Sequence, residues 1–475
     1  MENFVAARPE AASYGLRSGV LSPMETLAQS VSTMAPTTTP VATIPLVFAL
    51  AGNGTWLAYV LANGAVLLVA LCVARFARHS SSPGSLYTYA SMVLPPWLGA
   101  VAAWSLLLAY VATGSSVIGG FYHYGNVLLH DATGQWTSAT LLALAVTGIS
   151  MWIAWRDVKI SAELMLWIEA VSVTLILILV ALVLARHGAH WDWNQLRLSG
   201  MTGSGLRLGL VLALFSFVGF ESSTAMGAEA RDPLKVIPRA VIQSAILAGL
   251  IFTVCAYAEV LGFRGTGQNM GTSQAPMRVL ADFARFPLLG LLIDIGALVS
   301  LFAGTLACIT AAARVLLLMS HKGLVHGTLR NTNVKHETPT RAIVMTGIAA
   351  VAPVAVLAVR GASGLDVYGW LGSLATYGFI VTYALVSAGL PRYLRGHGAL
   401  HAGARVLSVL ACAAMLLALT GNLYPVPEGP YGKLPYIFLA YLAAGMLWFL
   451  ASRKSKREAP AENAESAESM ESTEN

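Results

Sequence analysis

An apolar run at residues 206–220 is interrupted where a lipid-buried helix should stay uniform. It carries Ser216 and Gly219, and Glu221 follows at once. The chain then turns polar through Glu229, Arg231, Asp232 and Lys235. Pro238 and Arg239 open the next apolar run. Backbone at membrane depth leaves the helical form only where its freed N–H and C=O groups line a cavity or meet protein partners. A glycine followed by a carboxylate at that depth therefore reads as a binding site and not as an anchor.

The depth argument holds because the chain is an integral membrane protein. Its 475 residues are 56% hydrophobic and 11% charged, whereas a soluble domain carries about 25% charged residues. Apolar runs long enough to cross a bilayer recur along most of the sequence. The net charge of +6 does not indicate nucleic acid, because the basic residues lie between those runs. Cys72, Cys255, Cys308 and Cys412 each sit inside an apolar run. They read as small buried hydrophobes, without ligand spacing or a disulfide framework. Residues 1–22 have no apolar h-region, so no cleavable signal peptide is expected, and the first span is expected to direct insertion.

A second interruption lies in the first span, at residues 23–50. Its centre reads STMAPTTTP from Ser32 to Pro40, with Pro45 beyond. Three prolines and five hydroxyl side chains so close together exclude a continuous regular helix. The spacing predicts two half-helices, at about 24–34 and 41–50, joined by an unwound strip. The other reading is a kinked helix with threonines bonded back to its own carbonyls.

Twelve spans are expected, at about 23–50, 56–74, 96–122, 137–155, 160–185, 206–228, 240–262, 288–320, 342–359, 367–390, 406–423 and 434–451. An even number puts both termini on one side. Of the 29 Lys and Arg residues, 20 fall in the first arm, the loops that follow even-numbered spans, and the tail. Both termini are therefore expected to be cytoplasmic. The domains expected are a mobile N-terminal arm (1–22), a transmembrane domain (23–452) and a disordered tail (453–475). Broken spans 1 and 6 hold corresponding places in two five-span halves of opposite orientation. That layout belongs to inverted-repeat secondary transporters, whose substrate site forms where the two broken helices meet. The repeat rests on hydropathy alone.

Around span 6 the chain reads Phe215, Phe217, Gly219, Phe220, Glu221, then Ala228-Glu229, Asp232-Pro233 and Ile237-Pro238-Arg239-Ala240. Pro83-Gly84 with Tyr87 and Tyr89 precedes span 3. AAARVLLLMSHKG (311–323) and TPTRAI (338–343) follow later. With these motifs the chain resembles the amino acid–polyamine–organocation (APC) family, in its amino acid permease branch. The resemblance implies an all-α integral membrane fold of about 12 transmembrane helices, in a LeuT-type 5+5 inverted repeat with broken spans 1 and 6. Spans 11 and 12 would be accessory. It implies secondary active transport of an amino acid, or a related small organic cation, across the plasma membrane, in bacteria the inner membrane. No cofactor and no nucleic acid partner would be involved, and the coupling ion would be a proton. Exchange of amino acids or polyamines is the alternative, and a substrate-sensing receptor on the same fold is a third reading. One departure stands out. Many members have a glycine-rich break in span 1, whereas here the strip is Met34-Ala35-Pro36-Thr37-Thr38-Thr39, and Pro36 has no N–H to donate.

An amino acid presents a carboxylate and an ammonium close together. Free N–H groups at the start of the second half of span 1 suit the carboxylate. Ala35, Thr37 and Thr38 are the candidate backbone donors, and Ser32 or Thr39 adds a hydroxyl. Carbonyls freed near Phe215, Ser216 and Val218 suit the ammonium, with Gly219 allowing close approach. Phe217 and Phe220 either wall the side-chain pocket or pack as ordinary helix residues. Glu221 has three readings: a brace that accepts backbone N–H bonds, a titrating gate or coupling group, or a contact for a cationic substrate. Lys159 opens span 5 in the sequence VKIS. The resemblance implies that it replaces a second sodium ion beside spans 1 and 8, as in proton-coupled members. The plain reading is an interfacial lysine reaching for water.

Glu169, Glu259 and Asp294 are either proton-relay groups or buried, hydrogen-bonded structural acids. His123 and His130 are expected in a solvated loop. Tyr110, Ser115, Thr305 and Tyr377 are pocket candidates on spans 3, 8 and 10. No span holds a metal-ligand set or a nucleophile–base pair, so neither a metal site nor an enzyme is expected.

Overall fold

The computed structural model describes residues 14–188, 191–424, 426 and 429–471. Their regular structure is helical throughout, apart from one isolated bridge between Leu21 and Ala230. The helices are α1 (Pro23–Met34), α2 (Ile44–Ala51), α3 (Thr55–Ala77), α4 (Ser85–Val93), α5 (Pro96–Thr133), α6 (Ala139–Arg156), α7 (Val158–His187) and α8 (Trp193–Leu196). They continue as α9 (Gly203–Phe215), α10 (Pro233–Arg264), α11 (Pro276–Phe283), α12 (Pro287–His321), α13 (Thr340–Val359), α14 (Gly364–Gly396), α15 (Ala402–Leu423) and α16 (Leu434–Glu471). Ten stretches among the described residues are helical, long and apolar enough to cross a membrane. One of them is the 55-residue run Pro23–Ala77, and α9 is a shorter apolar helix.

Burial divides the bundle into an inner and an outer set. The apolar windows of α5, α12 and α14 are 78%, 72% and 72% buried, whereas those of α6, α13 and α16 are 28%, 33% and 22% buried. The first three therefore form the centre, and the others turn most of their surface toward lipid. Small residues let the inner helices approach, as expected where lipid supplies no hydrophobic drive for association. A Cβ on Gly378 of α14 would run into the Ser105 carbonyl of α5, and one on Gly304 of α12 would lie 3.2 Å from the Ser32 carbonyl of α1.

Several boundaries differ from expectation. α5 continues eleven residues past the expected end of span 3, so His123 and His130 lie on a helix and not in a loop. His130 stacks on Trp136, with ring centroids 4.2 Å apart. α4 and α11 are short helices that hydropathy did not mark. α16 runs on as helix to Glu471, while its apolar part ends at Ser452.

Residues 1–13 lie outside the described residues, but the rest of the expected mobile arm is docked. The N–H groups of Val20 and Leu21 donate to the Glu229 carbonyl, and the Arg231 N–H donates to the Leu21 carbonyl. Arg17 pairs with Asp157 at 2.8 Å and with Glu337 at 3.2 Å. The arm thus ties the end of the span 6 break to the α6–α7 junction and to the loop before α13.

Candidate substrate-binding site

Both interruptions occur where the residue types demand them. α1 ends at Met34 and is capped by Ala35, which adopts the left-handed conformation at φ 45°. Pro36 follows without an N–H, and the helix resumes as a π-type turn over Thr39–Thr43 before α2. Such turns often accompany functional positions. α9 ends at Phe215, and residues 216–221 form tight turns. A 3₁₀ helix over Ser222–Met226 comes next. Gly219 sits at φ 94°, a conformation that costs a residue with a side chain dearly.

The two interruptions face each other. Thr33 Oγ1 lies 2.7 Å from Ser222 Oγ, which also donates to the Gln29 carbonyl at 3.0 Å. The Ser223 N–H donates to Ser30 Oγ at 2.9 Å. A Cβ on Gly219 would strike Thr33 Cγ2. Gly219 therefore serves the close approach of the two broken helices, which accounts for the glycine without a ligand. Around this seam the hydroxyls of Ser32, Thr37, Thr38, Ser223 and Thr310 and the Gln29 side-chain oxygen are buried, with no hydrogen-bond partner among the described residues. Buried polar groups are nearly always paired, so a set of orphaned hydroxyls on the broken helices is what a polar ligand site requires.

The expected carboxylate cradle is only partly available. The Ala35 N–H donates to the Ser32 carbonyl at 3.1 Å, and the Thr38 N–H donates to the Ala35 carbonyl at 2.8 Å. Those two donors are already used by the turn. Thr37, with both its N–H and its hydroxyl outside these bonds, is the position left open. On span 6, Ser216 Oγ lies 3.2 Å from Tyr59 Oη. Val218 is buried, and Phe217 packs between Tyr59 and Phe252. Phe217 thus faces α3 and α10. Phe215 meets Tyr368 edge-on, with centroids 5.4 Å apart, and Phe220 packs on Tyr383.

Glu221 is fully buried and accepts hydroxyls from Tyr110 on α5 (2.8 Å) and Tyr383 on α14 (2.5 Å). Its carboxylate thus joins α5 and α14 to the break through two phenols. From Tyr110 the chain of hydroxyls runs on to Ser85 (3.4 Å) and Thr224 (2.6 Å). Tyr383, Ser85 and Ser222 were not singled out from sequence. They come from remote parts of the chain, and nothing local distinguishes them.

Lys159 stands apart from this seam. Its side chain is 47% exposed, and its ammonium lies 3.6 Å from Glu163. The structure therefore does not bring it against the break in span 1. Glu169 accepts from Ser300 at 3.0 Å, and Asp294 pairs with Arg278. Both acids are therefore bonded to side chains of neighbouring elements or turns. Glu259 is buried, and neither of its oxygens has a hydrogen-bond partner among the described residues. Ser115 donates to the Ala350 carbonyl and Tyr377 to the Asn422 carbonyl, so both face the outer helices, and Thr305 bonds back to its own helix. No group of three or more metal-ligating side chains occurs among the described residues.

Two broken helices with buried hydroxyls, packed inside an all-helical bundle of long apolar helices, define a multi-span membrane protein. The model of the amino acid permease family matches residues 26–424, and the chain belongs to that family. It is 25% identical to the branched-chain amino acid permease BcaP of Bacillus subtilis over 304 residues, which cover 61% of this chain and 64% of that protein. It is 24% identical to a methylthioribose transporter of the same organism over 419 residues, covering 85% and 87%. It is 25% identical to the low-affinity putrescine importer PlaP of Escherichia coli over 307 residues, covering 61% and 64%. The family and these relatives are transporters, not enzymes.

Proposed function

We propose that this chain is a secondary active transporter that moves an amino acid across the plasma membrane by proton symport. In this reading it has twelve spans in the LeuT-type 5+5 arrangement, with both termini in the cytoplasm. The seam between the broken helices carries the proposal, because its orphaned hydroxyls offer donors and acceptors to a zwitterion. Thr37 and Ser32 serve the carboxylate, with Ala35 and Thr38 shaping the turn. The carbonyls near Phe215 and Ser216 serve the ammonium, and Phe217, Val218 and Gly219 set the approach of the two helices. Glu221 is the gating and coupling group, since its two tyrosine bonds hold α5 and α14 to the break. Lys159 is the second candidate for coupling, through opening of its exposed pair with Glu163. No cofactor is required beyond the coupling proton.

An amino acid substrate is favoured by family membership and by the relative named for branched-chain amino acids. A ligand screen by thermal shift tests this directly. A ligand at 100 times its Kd stabilises by about 2.7 kcal/mol. At least one amino acid should raise the melting temperature. Stabilisation by putrescine or methylthioribose alone would replace the amino acid as substrate.

A further inference from the structure

At the end of the bundle where α12 ends and α5 begins, a cavity of about 390 Å³ opens to the surface. Lys322 lies on one side of it. The Lys322 ammonium donates to Ser91 Oγ at 2.6 Å and lies 5.0 Å from the centre of the Tyr87 ring. No carboxylate pairs with it among the described residues. Pro96 and Gly99, in the first turn of α5, form another wall. That turn adds the positive end of a helix dipole. The remaining walls are mostly apolar and include Leu94, Leu324 and Phe449, with Ser452 among them.

The cavity sits at interfacial depth. Trp448 donates its indole N–H to the Leu324 carbonyl beside it, and tryptophan marks the level of lipid headgroups. The apolar part of α16 ends at Ser452, which also lines the cavity. The loop that follows adds Arg330 and Lys335, and the start of α13 adds Arg341, so this end of the bundle is basic. An uncompensated cation beside apolar walls, at headgroup depth, matches an amphiphile with an anionic head.

We propose that this cavity binds an anionic phospholipid of the adjacent leaflet. The phosphodiester would rest on Lys322 and Ser91, and the acyl chains would follow Leu94 and Phe449. The bound lipid would join α12 to α4, which touches the span 6 break through Ser85 and Thr224. The proposal rests on the membrane setting of the chain and not on what it transports.

The test is lipid retention by the purified full-length protein, counted by native mass spectrometry after exposure to vesicles. One set is pure phosphatidylcholine, and the other is phosphatidylcholine with a quarter phosphatidylglycerol. Wild type should retain phosphatidylglycerol selectively and melt at a higher temperature with it. Lys322→Gln should retain about tenfold less, Lys322→Arg should keep most of it, and Lys335→Gln in the exposed loop should match wild type. Equal retention by Lys322→Gln, or no lipid preference in wild type, would overturn the proposal. So would equal stabilisation by soluble glycerol phosphate, which would make the site one for free phosphate esters. A transport assay does not enter this readout, so failure of the transport reading leaves it standing.

Discussion

Arg314 on α12 and Glu229 beyond the span 6 break form a fork-to-fork pair, with bonds of 2.6 Å and 2.7 Å and side chains 1% and 0% exposed. Arg314 also donates to the Thr310 carbonyl of its own helix at 3.0 Å. The backbone carbonyl of Glu229 holds Val20 and Leu21. One buried pair therefore anchors the break, the core helix and the docked arm. Removing one member of such a pair leaves the other charge buried and costs about 3–5 kcal/mol. Arg314→Met and Glu229→Gln should each lower the melting temperature sharply in detergent. The double variant should recover part of the loss. Unchanged melting in either single variant would mean that the pair anchors nothing.

Gly219 supplies a second test of the seam. Gly219→Ala adds a methyl against Thr33 at a φ that disfavours side chains, with an expected loss of about 1–3 kcal/mol. Pairing it with Thr33→Ser, which removes the facing methyl, should return the steric part of that loss but not the backbone part. Circular-dichroism melting of the two variants separates these terms. Equal stability of Gly219→Ala and wild type would show that the seam is loose.

The Glu221 brace and Lys159 are distinguished by the same uptake assay. Tyr383→Phe deletes one hydroxyl from a buried carboxylate, and a hydrogen bond to a charged group contributes about 1.5–3 kcal/mol. Glu221→Gln and Tyr383→Phe should both depress uptake in proteoliposomes. Lys159→Gln, which breaks only an exposed i,i+4 pair, should fold normally and keep its response to a pH gradient. If Lys159→Gln loses that response while Glu221→Gln keeps it, coupling belongs to Lys159.

Outside the membrane spans, Asp192 gives a pH-dependent contribution whose sign is fixed. Burial alone would push its carboxyl upward. Hydrogen bonds from Gln195 and the Arg264 guanidinium outweigh this and hold it below the usual carboxylate value. A depressed folded value contributes stability above the unfolded pKa of about 3.9, and that stability is lost as pH falls through the folded value. Wild type should therefore melt above Asp192→Asn at neutral pH, and the gap should start to narrow near about pH 4 and close in stronger acid. A gap that stays constant from pH 7 to pH 3 would remove this pair from the stability of the loop.

The breaks were legible because their causes are local. Pro36 and Pro40 cannot continue a hydrogen-bond ladder, and Gly219 beside Glu221 is foreign to a lipid-facing helix. The brace was half legible: Glu221 was visible, but Tyr383 lies 162 positions away and only the packing of α14 brings it in. Gly219 was visible as special, but its partner Thr33 was not, because only the packing of the two broken helices brings them together. Lys159 shows what a motif leaves open. A motif can match while its side chain turns to solvent, because a lysine at a helix start has water and Glu163 within reach.

The measurement that bears most directly on the central proposal is uptake of labelled amino acids into proteoliposomes under an imposed inward proton gradient. Expected is accumulation of at least one amino acid above its external concentration, abolished by a protonophore, with a raised KM in Thr37→Val. Accumulation that ignores the gradient and requires a preloaded internal substrate would contradict symport and establish exchange. Absence of flux for every amino acid that binds would contradict transport itself.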